Sequence, residues 1–203
     1  MNDFRGRLCL SILLCASVLC PVLAAQETAG KEPAKETFDP KTTTRVTLGS
    51  TSGTPGDPVV VPIYFTPAEG AQVGHLKISV TFISANLKYD KMERGIAAEM
   101  GDVAVTSDLK VSQNDKGVET STLTLEATAP ASPKKPIPAG LLAYVAMKIN
   151  ESGRPANITL RTTAEGSDLA SNQPLKNVRA IDAEVEVLAP GTQPAVACFF
   201  FSH

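Results

Sequence analysis

Few residues in this chain could do chemistry. Its 203 residues include two histidines, His75 and His203, and four cysteines, of which Cys9, Cys15 and Cys20 sit near the start and Cys198 near the end. A Ser-His-Asp relay needs an imidazole held between a hydroxyl and a carboxylate, so it would have to use one of these two histidines. His203 is terminal. His75 follows Gly74 at the start of an alternating segment, where a solvated surface histidine is the commoner reading. Zinc needs clustered Cys, His or carboxylate ligands, and two distant histidines with one late cysteine do not supply them. No glycine-rich phosphate loop leads into a helix. The expectation is a chain that is not an enzyme.

Oxygen ligands gather in Glu165-Gly-Ser-Asp168-Leu-Ala-Ser-Asn172 and in Asn114-Asp115. No cofactor is expected, and calcium is the one ion these segments could take. Neither follows the twelve-residue EF-hand spacing, and solvated turns account for both more simply. Asn157-Ile-Thr159 has the form of a glycosylation acceptor, but it falls in an expected strand and means little by itself.

The elements that would position any site are strands. Val59, Val61, Ile63 and Phe65 share one face of a segment that follows a Gly/Ser/Pro turn. Leu76, Ile78, Val80 and Phe82 alternate with Lys77, Ser79 and Thr81. This two-residue period marks half-buried strands. Leu87 to Met92 continues after a Ser84-Ala85-Asn86 break. Residues 93–102 read as one helical turn or a loop. Leu109 to Gln113 and Glu119 to Ala127 flank Asn114-Asp115-Lys116-Gly117 as a hairpin, with Leu123, Leu125 and Ala127 inward and Thr122, Thr124 and Glu126 outward. Four prolines make residues 129–138 a loop. Leu141 to Ile149 is apolar at almost every position, as a central strand buried on both faces would be; a short buried helix is the alternative. Ile158 with Leu160, and Ala183 to Leu188, complete the series. About nine short strands with almost no helix predict an all-β sandwich. No internal repeat is visible, so one domain is expected.

The chain ends carry other signals. Residues 1–25 have a charged start at Arg5 and Arg7, a short apolar run from Leu8 to Leu19, and small residues for cleavage after Ala24 or Ala25, the form of a secretory signal. A membrane span needs roughly 20 apolar residues, more than this run offers; an uncleaved anchor, or a lipoprotein site at Cys20, is the rival reading. Loss of Asp3, Arg5 and Arg7 with this segment takes 19 basic and 21 acidic residues to 17 and 20, a net charge of −3. Nucleic acid and anionic membrane are therefore poor partners. Cys198 would remain as the one thiol, so the fold must rest on a hydrophobic core and not on disulfides. A domain of about 150 residues buries roughly 70% of its unfolded surface, which suffices. Residues 26–43 are rich in Glu, Lys, Thr, Ala and Pro and read as a disordered linker. The tail 189–203 ends in Cys198-Phe199-Phe200-Phe201-Ser-His203. It reads as a docking or processing signal or a thiol that joins another chain, against a plain disordered tail or phenylalanines tucked onto the sandwich.

The order of features resembles a cohesin domain over residues 44–188. The matching segments are Val46-Thr-Leu-Gly49, the turn Gly53-Thr-Pro-Gly-Asp57, Val59-Val-Val-Pro-Ile63, the amphipathic strand Gly74 to Phe82, and Leu87 to Met92. Gly140-Leu-Leu-Ala-Tyr-Val-Ala-Met-Lys-Ile149 and a closing strand Ala183 to Leu188 follow. The resemblance implies a nine-stranded jelly-roll sandwich, secreted to the cell surface, the medium or the periplasm. It implies a protein-binding module without catalysis, whose partner is a dockerin-like module held on one flat sheet face. The chain differs from the family where Phe82-Ile83-Ser84 replaces an aromatic-Asp-Pro turn, and where His75 and Lys77 stand at outward positions that carry polar or acidic contacts. The expected partner-binding face comprises His75, Lys77, Ser79, Thr81, Thr122, Thr124, Glu126 and Arg161; a merely solvated sheet face is the plain alternative. Two other readings are a carbohydrate-binding module and a structural envelope subunit that assembles through its tail. The chain has no tryptophan and three tyrosines. Of these, Tyr64 and Tyr144 face away from the apolar side of their strands and could form a small stacking platform.

Overall fold

The computed structural model describes residues 39, 41–113, 115 and 117–192. The expected signal, most of the expected linker, and the tail residues Cys198, Phe199, Phe200, Phe201 and His203 lie outside them. In chain order the elements are β1 (Thr44–Leu48), β2 (Thr51–Gly53), β3 (Pro58–Thr66), β4 (Val73–Ile83), β5 (Leu87–Arg94), α1 (Ile96–Met100), β6 (Ala104–Gln113), β7 (Glu119–Thr128), β8 (Gly140–Ile149), β9 (Ala156–Asp168), β10 (Val178–Ile181) and β11 (Ala183–Val187). They form a five-stranded sheet in the order β10-β1-β3-β8-β5 and a six-stranded sheet in the order β2-β11-β9-β4-β7-β6.

Alternation decides what each sheet buries. Val59, Val61, Ile63 and Phe65 of β3 and Leu76, Ile78, Val80 and Phe82 of β4 are all buried. They meet in one core with Leu123, Leu125 and Ala127 of β7, Val145 and Met147 of β8, and Ile158 and Leu160 of β9. The result is a jelly-roll β-sandwich. The two strands beyond the nine expected are β2 and β10. Neither is long enough to show a period in its sequence, and each is held by pairing in parallel with a distant strand, β11 and β1 respectively. The segment 93–102 resolves into the single turn α1, which buries Ala97 and Ala98.

One expectation is corrected. β8 is a central strand between β3 and β5, but it is not buried on both faces: Tyr144 and Lys148 are exposed. No second layer covers the outer side of this sheet among the described residues. Its apolar run arises because Ala146 and Tyr144 occupy outward positions that polar residues would normally fill.

The two flanks of the sandwich differ. On one, the chain passes between sheets twice. It crosses from β1 to β2 through Gly49 and Ser50, and from β10 to β11 at Asp182, and the two crossings run side by side in parallel. A side chain at Gly49 would meet the Pro62 ring at 2.6 Å. The Asp182 carboxylate accepts the N–H of buried Thr162 at 2.7 Å, and Ser50 Oγ accepts the Glu184 N–H at 3.0 Å. The β2–β3 turn is closed by Asp57, whose carboxylate accepts both the Thr54 N–H and its hydroxyl at 2.7 Å, while Gly56 takes a φ of 92°. On the other flank β5 and β6 are the sheet edges, bridged by Tyr89 and Ser107 hydroxyls 2.9 Å apart.

Candidate functional site

β4 is the spine of the six-stranded sheet, with β7 on one side and β9 on the other. Since successive side chains alternate, burying Leu76 through Phe82 turns His75, Lys77, Ser79, Thr81 and Ile83 outward. The register then builds rows across β9-β4-β7-β6. Glu165, Lys77, Glu126 and Thr106 form one. Thr163, Ser79, Thr124 and Asp108 form the next, and Arg161, Thr81, Thr122 and Lys110 a third. All eight residues expected on the binding face therefore share one outer surface. With strands about 4.8 Å apart, these four present a shallow, uncovered polar field.

Its chemistry is varied along the strands. In one row a lysine stands between two carboxylates. In the third row two cations flank a threonine pair whose hydroxyls lie 3.3 Å apart. At the near end, His75 and Lys77 line a cleft of about 560 Å³ with Glu165, Ser167, Leu175 and Lys176. At the far end Ile83, 50% exposed, borders a depression of about 390 Å³ with Thr120, Thr159 and Arg161.

Several residues of this face were missed by sequence reasoning. Thr163 and Glu165 extend β9 beyond Leu160; the signal was the continued polar alternation from Arg161, masked by the small residues Ala164, Gly166 and Ser167. Ile83 falls in the segment Phe82-Ile83-Ser84 that stands in place of the family's turn, although the phase of Leu76 to Phe82 already turns it outward. Thr106 and Asp108 were missed because β6 begins five residues before the expected hairpin strand, and Lys110, inside that strand, because its nearly all-exposed residues give no phase to assign a face.

Against solved structures, the sandwich superposes on cohesins. The third ScaC cohesin from Acetivibrio cellulolyticus, solved in complex with the ScaB dockerin, matches with a TM-score of 0.57 and 22% identity, over 72% of this chain and 99% of that one. The seventh ScaB type I cohesin from Pseudobacteroides cellulosolvens matches at 0.55 and 16%, over 79% and 99%. A non-cellulosomal cohesin from the archaeon Archaeoglobus fulgidus matches at 0.52 and 17%, over 72% and 92%. The fold is cohesin-like. No protein-family profile and no curated protein sequence matches the chain.

Within this cohesin-like sandwich the other candidate groups are dispersed. Tyr64 and Tyr144 do share the outer face of the five-stranded sheet, where Tyr144 lies opposite Pro62 and Glu93. Tyr144, Val60, Lys91, Glu93 and Ala146 line a shallow depression of about 380 Å³. Tyr89 belongs instead to the β5–β6 flank. The oxygen-rich loop is engaged with itself: Asp168 Oδ1 accepts the Ala170 N–H, the Ser171 N–H and the Ser171 hydroxyl at 2.8–3.0 Å. Those Ser171 bonds, backbone first, hold the Asp168 carboxyl below its ordinary range. Among the described residues no three His, Cys, Asp or Glu side chains group as a metal site. Asn157 is exposed on β9.

Proposed function

We propose that this chain is a secreted, non-catalytic protein-binding module, and that the outer face of β9-β4-β7-β6 holds its partner. The observation that carries the reading is the uncovered polar field centred on Lys77, Ser79, Thr81, Thr122, Thr124 and Glu126, four strands wide. A specific contact needs about 800 Å² per partner, which a field of this breadth supplies. The cohesin-like fold adds support, because a cohesin of this fold carries a dockerin in one of the matched structures. The partner is a protein of dockerin type, with mixed charge to meet Lys77 and Arg161 beside Glu126 and Glu165. The signal-like residues 1–25 support export, to the cell surface, the medium or the periplasm.

The test is capture of secreted and envelope proteins by the wild-type chain, by Lys77→Glu with Arg161→Glu, and by Tyr144→Ala, each in calcium and in chelator. The face variant should weaken binding of the captured protein at least tenfold, about 1.4 kcal/mol, while Tyr144→Ala leaves it unchanged. Equal capture by wild type and face variant would sink the reading. Binding of a glycan that Tyr144→Ala abolishes would move the function to the opposite sheet.

A further inference from the structure

The two sheets have four edges, and three of them are guarded. A free edge strand exposes unpaired N–H and C=O groups, and proteins guard against accidental pairing by shortness, bulges or charge. β2 and β10 are short, three and four residues. β5 is bulged between Tyr89 and Lys91 and carries Lys88, Asp90, Lys91, Glu93 and Arg94. β6 is neither short nor bulged, and its two charges, Asp108 and Lys110, are opposite in sign. It runs ten residues, from Ala104 to Gln113, in unbroken register with β7 and without proline or glycine. Its inward-turned Leu109 and Val111 overhang the open flank, 37% and 56% exposed.

The sequence of β6 is also complementary to itself. In a two-fold antiparallel pair centred on Leu109, each residue n faces residue 218 − n of the other copy (twice 109). Asp108 then stands opposite Lys110 of the second copy, and Lys110 opposite its Asp108. Thr106 meets Ser112, Ser107 meets Val111, and Leu109 meets Leu109. Residues directly opposite in an antiparallel pair lie on the same face, and opposite charges there stabilise while like charges destabilise. Within one chain Lys110 Nζ reaches Asp108 Oδ2 only at 4.0 Å, both side chains largely in solvent, so the pair is free to exchange partners.

We propose that two copies of this chain pair edge to edge through β6, joining their six-stranded sheets into one continuous sheet about a two-fold axis at Leu109. Such a contact is isologous, so it closes as a dimer and does not grow into a fibre. A strand edge is smaller than the about 800 Å² per partner of a standard interface, so association is concentration-dependent. The inference rests on the β6 edge alone and stands or falls independently of the sheet-face reading.

Sedimentation equilibrium on protein produced from the full sequence tests it. Wild type should be a reversible dimer within reach of about 1 mM, the weak end of specific affinity. Asp108→Lys and Lys110→Asp each place like charges opposite one another and should weaken the dimer at least tenfold. Mixing the two single variants restores complementarity and should restore the dimer as a heterodimer, as should the double swap D108K/K110D against itself. A wild type that stays monomeric overturns the proposal. So does a dimer indifferent to either single variant, one that disappears only when residues 193–203 are removed, or a mixture that fails to associate.

Discussion

The two flanks of the sandwich use the same sheets to opposite ends. On the crossing flank, β1 with β10 and β2 with β11 carry the chain from one sheet to the other, so neither sheet is left with a long free edge there. Backbone N–H groups are satisfied as the chain crosses: that of buried Thr162 by Asp182, and that of exposed Glu184 by Ser50. On the β5–β6 flank the sheets simply end, and their inner faces run out into solvent at Leu109 and Val111. Closure by crossing strands costs no extra covering layer, but it needs segments whose sequence serves two sheets in succession. The open flank demands nothing of the sequence except strand propensity. Stability should therefore be concentrated on the first flank, and tolerance of change on the second.

The strongest way to break that comparison is one substitution made twice. Leu160 is fully buried on β9 opposite Ala183 of β11. Leu160→Ala removes buried methyl groups and leaves a cavity, and should cost about 2–5 kcal/mol. Leu109→Ala at the rim of β6 should stay within about 1 kcal/mol, as surface changes do. Urea unfolding at low protein concentration measures both. Similar losses at the two sites would mean the open flank is packed as tightly as the crossing one.

A smaller effect separates the crossing itself from its packing. Asp182→Ala leaves the Thr162 N–H without its acceptor in a buried position, which should cost about 1–3 kcal/mol. Asp182→Asn keeps an oxygen at the same place and should recover most of the loss. If Ala and Asn behave alike, the charge of Asp182 matters more than the bond it accepts.

The open flank was the harder of the two to read from the sequence, and the reason is physical. β3, β4 and β7 announce themselves because one of their faces is buried, which imposes a period of two; seven of the eight face residues follow from that phase, and Arg161 from the phase of Ile158 and Leu160 on β9. β6 has almost no buried face, so nothing constrains its alternation and its first half went unseen. β2 and β10 are short enough that pairing with distant strands, not their own residues, makes them strands. The same logic explains the missed half of β9, where the positions alternating with Thr163, Glu165 and Ser167 hold only the small residues Ala164 and Gly166. Ile83 was legible in principle, since the phase of β4 fixes its direction, but the following Ser84-Ala85-Asn86 drew the reading towards a turn. The cohesin resemblance was carried by the strands with buried faces, which belong to the core. The outer face is free of such constraint, so its residue types follow no pattern that burial imposes.

The smallest expected effect concerns acid, and it sharpens the same contrast at the turn that starts the crossing flank. Hydrogen bonds from the Thr54 hydroxyl, and then from the Thr54 N–H, hold the Asp57 carboxyl below its ordinary value of 3.8. The unfolded chain lacks these bonds, so it binds the proton at higher pH than the folded chain does. The Asp57 clasp thus contributes its full stabilisation above about pH 4, and loses it progressively as pH falls through the depressed folded value. Asp57→Asn should lower the thermal midpoint slightly at pH 7 and reduce the further drop between pH 5 and pH 2, since asparagine does not titrate. Melts of wild type and variant across that range decide the matter. Parallel curves would show that the turn is held by Gly56 and the β2–β11 ladder, with the carboxylate a bystander.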